Sequence, residues 1–526
     1  MTATDVPPSP VGVAPGGAAG GIVRVGRANR LNDTVRTVRR NVETGGFVGA
    51  HGGAAPVNRP RTRRRLAVWS VLSVILIAVL AVGGTFTYLQ LTKPDPLPAG
   101  TPARPAPIAV DPLIHAVSAS APQPTAAGVR RAIATALKAP ELGELTGQIS
   151  DSLTGEVLWS QGATRPRTPA SNAKILTASA VLLALPHDQR LTTTVVAGRD
   201  GQVILRGAGD PTLSAQPPGT DTFYSNPGRI SALADQIARS GIDVTSVAVD
   251  LSAYSGPTFD STWSRGDIAG GDIAPMDSLM VDGARVSPLD EYSPRQDKPG
   301  IAAGQALARA LGVSTDVTEE VAPAGARTLA QVSSAPLVTR VDDMMRYSDN
   351  VVAEALSIEL AKSQAEPATL QGGAQAVLKV LNANGFNTAG TTLRDASGLS
   401  YSNRVPALLL DTLMGAASGP IDDGVGGGNA QNAARDAKIR PMLDGLPIAG
   451  GTGTLSDRFN ARTNPGAGWV RAKTGTLTGV SSLTGIVQTV DGRVLSFALM
   501  SGGTSPADAR PALDAIPGDL RECGCR

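Results

Sequence analysis

Histidine and cysteine are nearly missing from this chain: three histidines (His51, His115, His187) and two cysteines (Cys523, Cys525) in 526 residues. That inventory is too thin for structural zinc, haem or iron–sulfur ligation, and it argues against a histidine-based catalytic triad. One cysteine pair, at the far C-terminal end, excludes a disulfide framework. Aromatic residues make up only 3% of the chain. A formal charge of +2 excludes a strongly basic nucleic-acid binder acting as a whole. Lysine is scarce as well, eight of 47 basic residues, so arginine serves wherever a bare positive charge suffices. Hydrophobic residues, at 42%, are ample for a core, and the length calls for at least two folded units. The expected chemistry needs no metal, no cofactor and no nucleic acid.

The charge is unevenly placed. Residues 1–65 hold eleven arginines against Asp5, Asp33 and Glu43, and read as a basic disordered tail. Leu31, Val35, Val38 and Val42 fall on one helical face, which leaves a membrane-surface or partner helix as the alternative for part of it. From Leu66 to Leu91 no charge occurs, and about 20 apolar residues suffice to cross a bilayer as a helix. Trp69 and Tyr88 sit near the ends of this run, and the Arg61–Arg65 cluster places its N-terminal side in the cytoplasm. Ala81-Val82-Gly83 offers the alternative of a cleaved signal, against which the long leader argues. Either way the rest is exported; the expectation is a single-pass anchor in the cell membrane with the catalytic part outside. Residues 92–125 are a Pro/Ala-rich spacer.

Beyond the spacer, Leu145–Ser152 and Gly155–Ser160 read as a hairpin, and Ser171–Leu185 as a helix apolar on nearly every face, hence a core helix closed by Pro186. Residues 191–330 change to short strand-like runs broken by Gly, Pro and Asp, a large β-rich insertion. Helical pattern returns at Leu337–Ala361 and Gly373–Asn384, and strands at Trp469–Thr474, Leu483–Val490 and Val494–Ser501. Strands at both ends with helices between predict an α+β domain: one antiparallel sheet flanked by helices, its two parts at 126–190 and 331–515, with a short tail at 516–526. Cys523 and Cys525 fall in that tail, which is expected to be mobile.

Three motifs carry chemistry. Ser171 and Lys174 open the core helix three residues apart, on one face, so the amine reaches the hydroxyl. Burial disfavours the charged amine, giving a base without histidine. Ser-x-x-Lys alone is cheap, and Ser171 as a plain helix cap is its bland reading. Yet lysine is rare here and cannot be exchanged for arginine where a titratable amine is needed. Tyr347-Ser348-Asp349-Asn350 sits at a helix junction, where Ser348 can relay a proton and Asn350 bind an amide; an N-cap is the alternative. Tyr224-Ser-Asn226 and Tyr401-Ser-Asn403 are similar tripeptides in turn-rich sequence, read as decoys. Lys473-Thr474-Gly475-Thr476 ends a strand, where a glycine admits close approach and the lysine and hydroxyls suit an anionic group.

In this order the three motifs are those of active-site serine penicillin-recognising proteins. Residues 126–510 resemble the D-alanyl-D-alanine carboxypeptidase and endopeptidase family, the low-molecular-mass class C penicillin-binding proteins. Gly207–Leu213, Asp395–Asn403 and Gly450–Leu455 resemble further segments of that family, and the long gap from Ser171 to Ser348 fits its inserted domains. The resemblance implies a serine β-lactamase/transpeptidase-like fold. It implies Ser171 as nucleophile, Lys174 as base, Ser348 as proton relay, and Asn350, Lys473, Thr474, Gly475 and Thr476 as the substrate-binding set. Backbone N–H groups of Ser171 and Thr476 would form the oxyanion hole. The implied partners are peptidoglycan peptides ending in D-Ala-D-Ala, with β-lactams as covalent inhibitors. A β-lactamase, a transpeptidase and a non-catalytic wall-binding scaffold are the competing readings. The long insertion argues against the first, and the intact motif set against the last.

Overall fold

The computed structural model describes residues 120–420, 430–459 and 464–524. The tail, the uncharged run at 66–91 and most of the spacer lie outside the described residues. Among the described residues no helix is long and apolar enough to cross a membrane.

Along the chain come α1 (Ala126–Ile133), β1 (Thr146–Asp151), β2 (Val157–Gln161), α2 (Ala173–Ala184), β3 (Thr192–Ala197) and β4 (Gln202–Arg206). They are followed by α3 (Ile230–Arg239), β5 (Ser246–Asp250), α4 (Gly266–Gly270), α5 (Pro299–Leu311), β6 (Thr318–Glu319) and β7 (Thr328–Ser333). The remainder is α6 (Leu337–Tyr347), α7 (Asn350–Ser363), α8 (Leu370–Ala383), α9 (Ala407–Ser418), α10 (Ala430–Ile439), β8 (Val470–Leu477), β9 (Val480–Gln488), β10 (Val494–Gly502) and α11 (Pro506–Arg521).

The main sheet has the order β2-β1-β10-β9-β8 and is antiparallel throughout. β1 lies against β10, Thr146 opposite Met500 and Asp151 opposite Leu495, so the early hairpin and the last strands share one sheet. Side chains alternate faces along a strand. On β10, Phe497 and Leu499 enter the core shared with α1 and α11, whereas Ala498 and Met500 enter the core of α2 and α6–α9. α2 is buried along almost its whole length because it is wrapped by the other helices of that layer. It ends at Leu185, whose extended backbone is what a following proline imposes.

The second sheet, β6-β5-β4-β3-β7, is mixed: β3 is antiparallel to β4 and β7, while β4, β5 and β6 run parallel. Parallel neighbours require crossovers, and α3 and α5 supply them. Ile230, Leu233, Ala234 and Ile237 of α3 pack on Val203, Leu205 and Val247 of the sheet. Residues 191–330 are therefore a mixed αβ segment rather than the β-rich insertion expected; the turn residues around the helices hide them in the sequence.

α11 continues to Arg521, through residues expected to form a tail, with Pro511 and Pro517 inside it. Its Leu513, Ile516 and Leu520 are buried, and Cys523 packs into the same core instead of lying in a mobile end.

Candidate active site

Ser171 sits in a single helical turn, Ala170–Asn172, that feeds directly into α2. Ala170 has a positive φ of 49° and is fully buried, a conformation that a non-glycine residue adopts only when its surroundings enforce it. Three contacts do so here. Ser482 donates from Oγ to the Pro169 carbonyl at 2.7 Å, Asn172 donates from Nδ2 to Thr484 Oγ1 at 2.9 Å, and β8 presses Gly475 against the turn. A Cβ on Gly475 would stand 2.7 Å from the Pro169 carbonyl oxygen, so only glycine lets this strand approach.

Lys174 is completely buried in the first turn of α2. Its Nζ donates to Ser171 Oγ at 3.1 Å, Asn350 Oδ1 at 2.6 Å and the Ser397 carbonyl at 2.7 Å. Burial pulls the amine down from 10.5 to about 8, against the opposing pull of Asp395, Glu354, Asp349 and Asp272. An amine so placed is partly neutral near neutral pH and hydrogen-bonded to the hydroxyl it would deprotonate.

The junction of α6 and α7 brings in the second motif. Ser348 takes a left-handed conformation (φ 55°) that stops α6, and Asp349 caps α7 by accepting from Val352 N–H. Asn350 accepts from Lys174 through Oδ1 and donates through Nδ2 to the Asp272 carbonyl at 2.9 Å, leaving each atom one further hydrogen-bonding position.

The third motif lies on β8. Thr474 and Thr476 line the cleft above Ser171, with Thr474 Oγ1 donating to Thr454 Oγ1 at 2.7 Å. Lys473 lies underneath: it is fully buried, donates from Nζ to the Thr474 carbonyl at 3.0 Å and does not line the cleft. Burial, with Lys174 nearby, pushes its amine well below the ordinary lysine range. The cleft has a volume of about 910 Å³ and also receives Ser171, Ser348 and Asn350.

Several residues that shape this geometry stand outside the three motifs. Glu354, buried in α7, accepts the backbone N–H groups of Ala396 and Ser397, and so fixes the loop whose carbonyl holds Lys174. Its acid is pushed up to about 8 by burial and by Asp395. Asp395 ties that loop together, accepting from Gly398 N–H, Ser400 N–H, Asn403 Nδ2 and Trp263 Nε1. Both tripeptides read as decoys serve the site. Tyr224 donates to Asp349 at 2.8 Å, and Tyr401 OH accepts from Thr478 N–H at 2.9 Å. Tyr401 lies in the 395–403 segment already noted for its resemblance, whereas the signal that marks Tyr224 is spatial.

The sequence matches the D-Ala-D-Ala carboxypeptidase 3 (S13) family over residues 129–295 and 288–522. It is 47% identical over 478 residues to the carboxypeptidase DacB of Mycolicibacterium smegmatis, covering 89% of this chain and 99% of that protein. It is 44% identical over 480 residues to a carboxypeptidase of Mycobacterium tuberculosis, covering 88% and 99%. In fold it is similar to penicillin-binding protein 4 (dacB) of Haemophilus influenzae, with a TM-score of 0.59 at 21% identity over 74% of this chain and 98% of that one. The serine–lysine turn, the helix junction and the threonine-bearing strand thus stand in a chain that belongs to the D-Ala-D-Ala carboxypeptidase 3 (S13) family.

Proposed function

We propose that this chain performs the reaction for which its family is named, removing the terminal D-alanine from peptidoglycan stem peptides through an acyl-enzyme on Ser171. The observation that carries the reading is the Lys174 amine, buried and bonded at once to Ser171 Oγ and Asn350 Oδ1.

Ser171 Oγ attacks the carbonyl carbon of the penultimate D-alanine while Lys174 takes the hydroxyl proton. The oxygen that becomes negative is met by the backbone N–H groups of Ser171 and Thr476, each worth about 3 kcal/mol in hydrolases of this kind. The tetrahedral adduct collapses, the C–N bond breaks, and the proton passes from Lys174 by way of Ser348 to the leaving amine. Water then attacks the Ser171 ester, Lys174 accepts a proton from it, and the serine recovers its hydrogen as the shortened peptide leaves. Thr474, Gly475 and Thr476, with Lys473 beneath them, form the edge that receives the substrate's C-terminal end, and Asn350 offers its remaining positions to a peptide amide. A β-lactam imitates the scissile amide and leaves an ester on Ser171 that clears slowly.

The substrate is a cell-wall peptide, so the catalytic part belongs outside the cell. We read residues 66–91 as a single membrane-spanning helix, with Arg61–Arg65 on the cytoplasmic side and residues 92–125 as the spacer; the length and lack of charge of the run support this. The test is release of D-alanine from a peptide ending in D-Ala-D-Ala. The full chain should release it, while Ser171→Ala and Lys174→Arg should lose at least about a thousandfold. Turnover retained in Ser171→Ala would overturn the reading.

A further inference from the structure

A substrate with a carboxylate next to its scissile bond must bring that charge into a cleft that Asp267, Asp272, Glu291 and Asp457 also line. Asp349 also lines it but is paired with Arg285 and Arg295, and like-charge repulsion from the other acids favours a fixed positive charge as receptor. The lysine of the Lys-Thr-Gly strand is poorly placed for it: Lys473 is buried below Thr474, with its amine spent on a carbonyl. The cationic residues that do line the cleft are Arg295, Arg458 and Arg510. Arg295 is buried, donating to the carbonyls of Gly271 and Gly283 and facing Asp349 at 3.6 Å. Arg458 is held by Asp514 through two hydrogen bonds, at 2.5 and 3.1 Å. Arg510 differs from both. It is exposed on α11, makes no ion pair among the described residues, and donates from Nη2 to Thr476 Oγ1 at 3.1 Å.

We propose that Arg510 is the receptor for the free carboxylate of the leaving amino acid, and that with Thr474 and Thr476 it selects substrates bearing that carboxylate over amides or esters of the same peptide. This rests on the placement of Ser171 as nucleophile beside Thr476. The guanidinium presents two parallel N–H groups, a geometry that matches a carboxylate. Its contact with Thr476 fixes the fork at the strand edge, within reach of a C-terminal end lying over Thr474. The arrangement also explains how the strand recognises an anion although its own lysine is buried.

The test uses the full chain carrying Ser171→Ala, which binds without turnover, and a blocked tripeptide ending in D-Ala-D-Ala as the free acid and as the C-terminal amide. Calorimetry should show the acid binding roughly 10- to 100-fold more tightly than the amide, the range expected of a charge-assisted hydrogen bond. Adding Arg510→Gln should bring the acid to the level of the amide and leave the amide unchanged; Arg510→Lys should restore part of the preference. No preference for the acid, or equal weakening of both forms by Arg510→Gln, overturns the proposal. The acid preference with no D-alanine release by the unmodified chain would instead sink the peptidase reading and leave Arg510 as a carboxylate receptor.

Discussion

Tyr224 donates its phenolic hydrogen to the carboxylate of Asp349 at 2.8 Å, although the two residues are 125 positions apart in the chain. Asp349 stands between Ser348 and Asn350, and its side chain is buried. Arg285 completes the contact, donating to the same carboxylate oxygen at 2.8 Å while stacking 3.6 Å over the Phe223 ring. Residues that precede α6 by more than a hundred positions thus hold the junction that faces Lys174.

That relationship separates two magnitudes. Arg285→Ala leaves the buried Asp349 carboxylate without its closest cation, and should cost about 3–5 kcal/mol of stability. Tyr224→Phe removes one of several donors and should cost only about 1–2 kcal/mol. Chemical denaturation of both variants checks the ordering; equal losses would mean that the ion pair is not what compensates Asp349.

Burial holds the Lys174 amine at about 8, and the deprotonated form is the one that accepts the serine proton. The acylation rate should therefore rise with pH and level off above about pH 8, because the folded amine loses its proton well before an exposed lysine would. Asp395, Glu354, Asp349 and Asp272 all pull the other way, toward the ammonium. Glu354→Gln keeps an oxygen for the Ala396 and Ser397 N–H groups and removes a charge that, with its own acid pushed up to about 8, is only partly present over the rising limb, so the limb should move only slightly, toward lower pH. Stopped-flow acylation across pH 5–10 measures both profiles; a flat profile in the unmodified chain would exclude Lys174 as the titrating base.

Gly398 has a φ of +88°, and a Cβ there would stand 1.8 Å from the Ala170 carbonyl oxygen. Gly398→Ala must push the 395–403 loop away from the serine turn. It should cost more than about 2 kcal/mol in stability and slow acylation, since the Ser397 carbonyl that orients Lys174 moves with the loop. Thermal unfolding and acylation rate together test this; an unchanged acylation rate would show that the loop does not orient the amine.

The parts of this site legible from sequence are those whose chemistry is local. Ser171 and Lys174 are neighbours on one helical face, and a rare lysine in an uncharged helix is conspicuous. The terminal strands are readable from the runs Leu483–Val490 and Val494–Ser501. Glu354 is not, because it looks like an ordinary acid until α7 and the 395–403 loop are stacked, and Asp395 stands in a segment marked only by resemblance, its role as the loop's shared acceptor emerging from the fold. Arg510 escaped for a different reason: it lies on α11, a helix whose two internal prolines mask its pattern, and it meets Thr476 only through tertiary packing. Tyr224 and Tyr401 sit in tripeptides that resemble the second motif, and their contributions come from hydroxyl contacts made across the fold.

The central claim, that Ser171 is the nucleophile and Lys174 its base, is tested most directly by intact-mass spectrometry of the full chain incubated with benzylpenicillin. A single covalent adduct that persists for hours, maps to Ser171, and is absent from Ser171→Ala and formed far more slowly in Lys174→Arg is the predicted result. An adduct that survives Ser171→Ala, or none at all on the correctly folded chain, would contradict it.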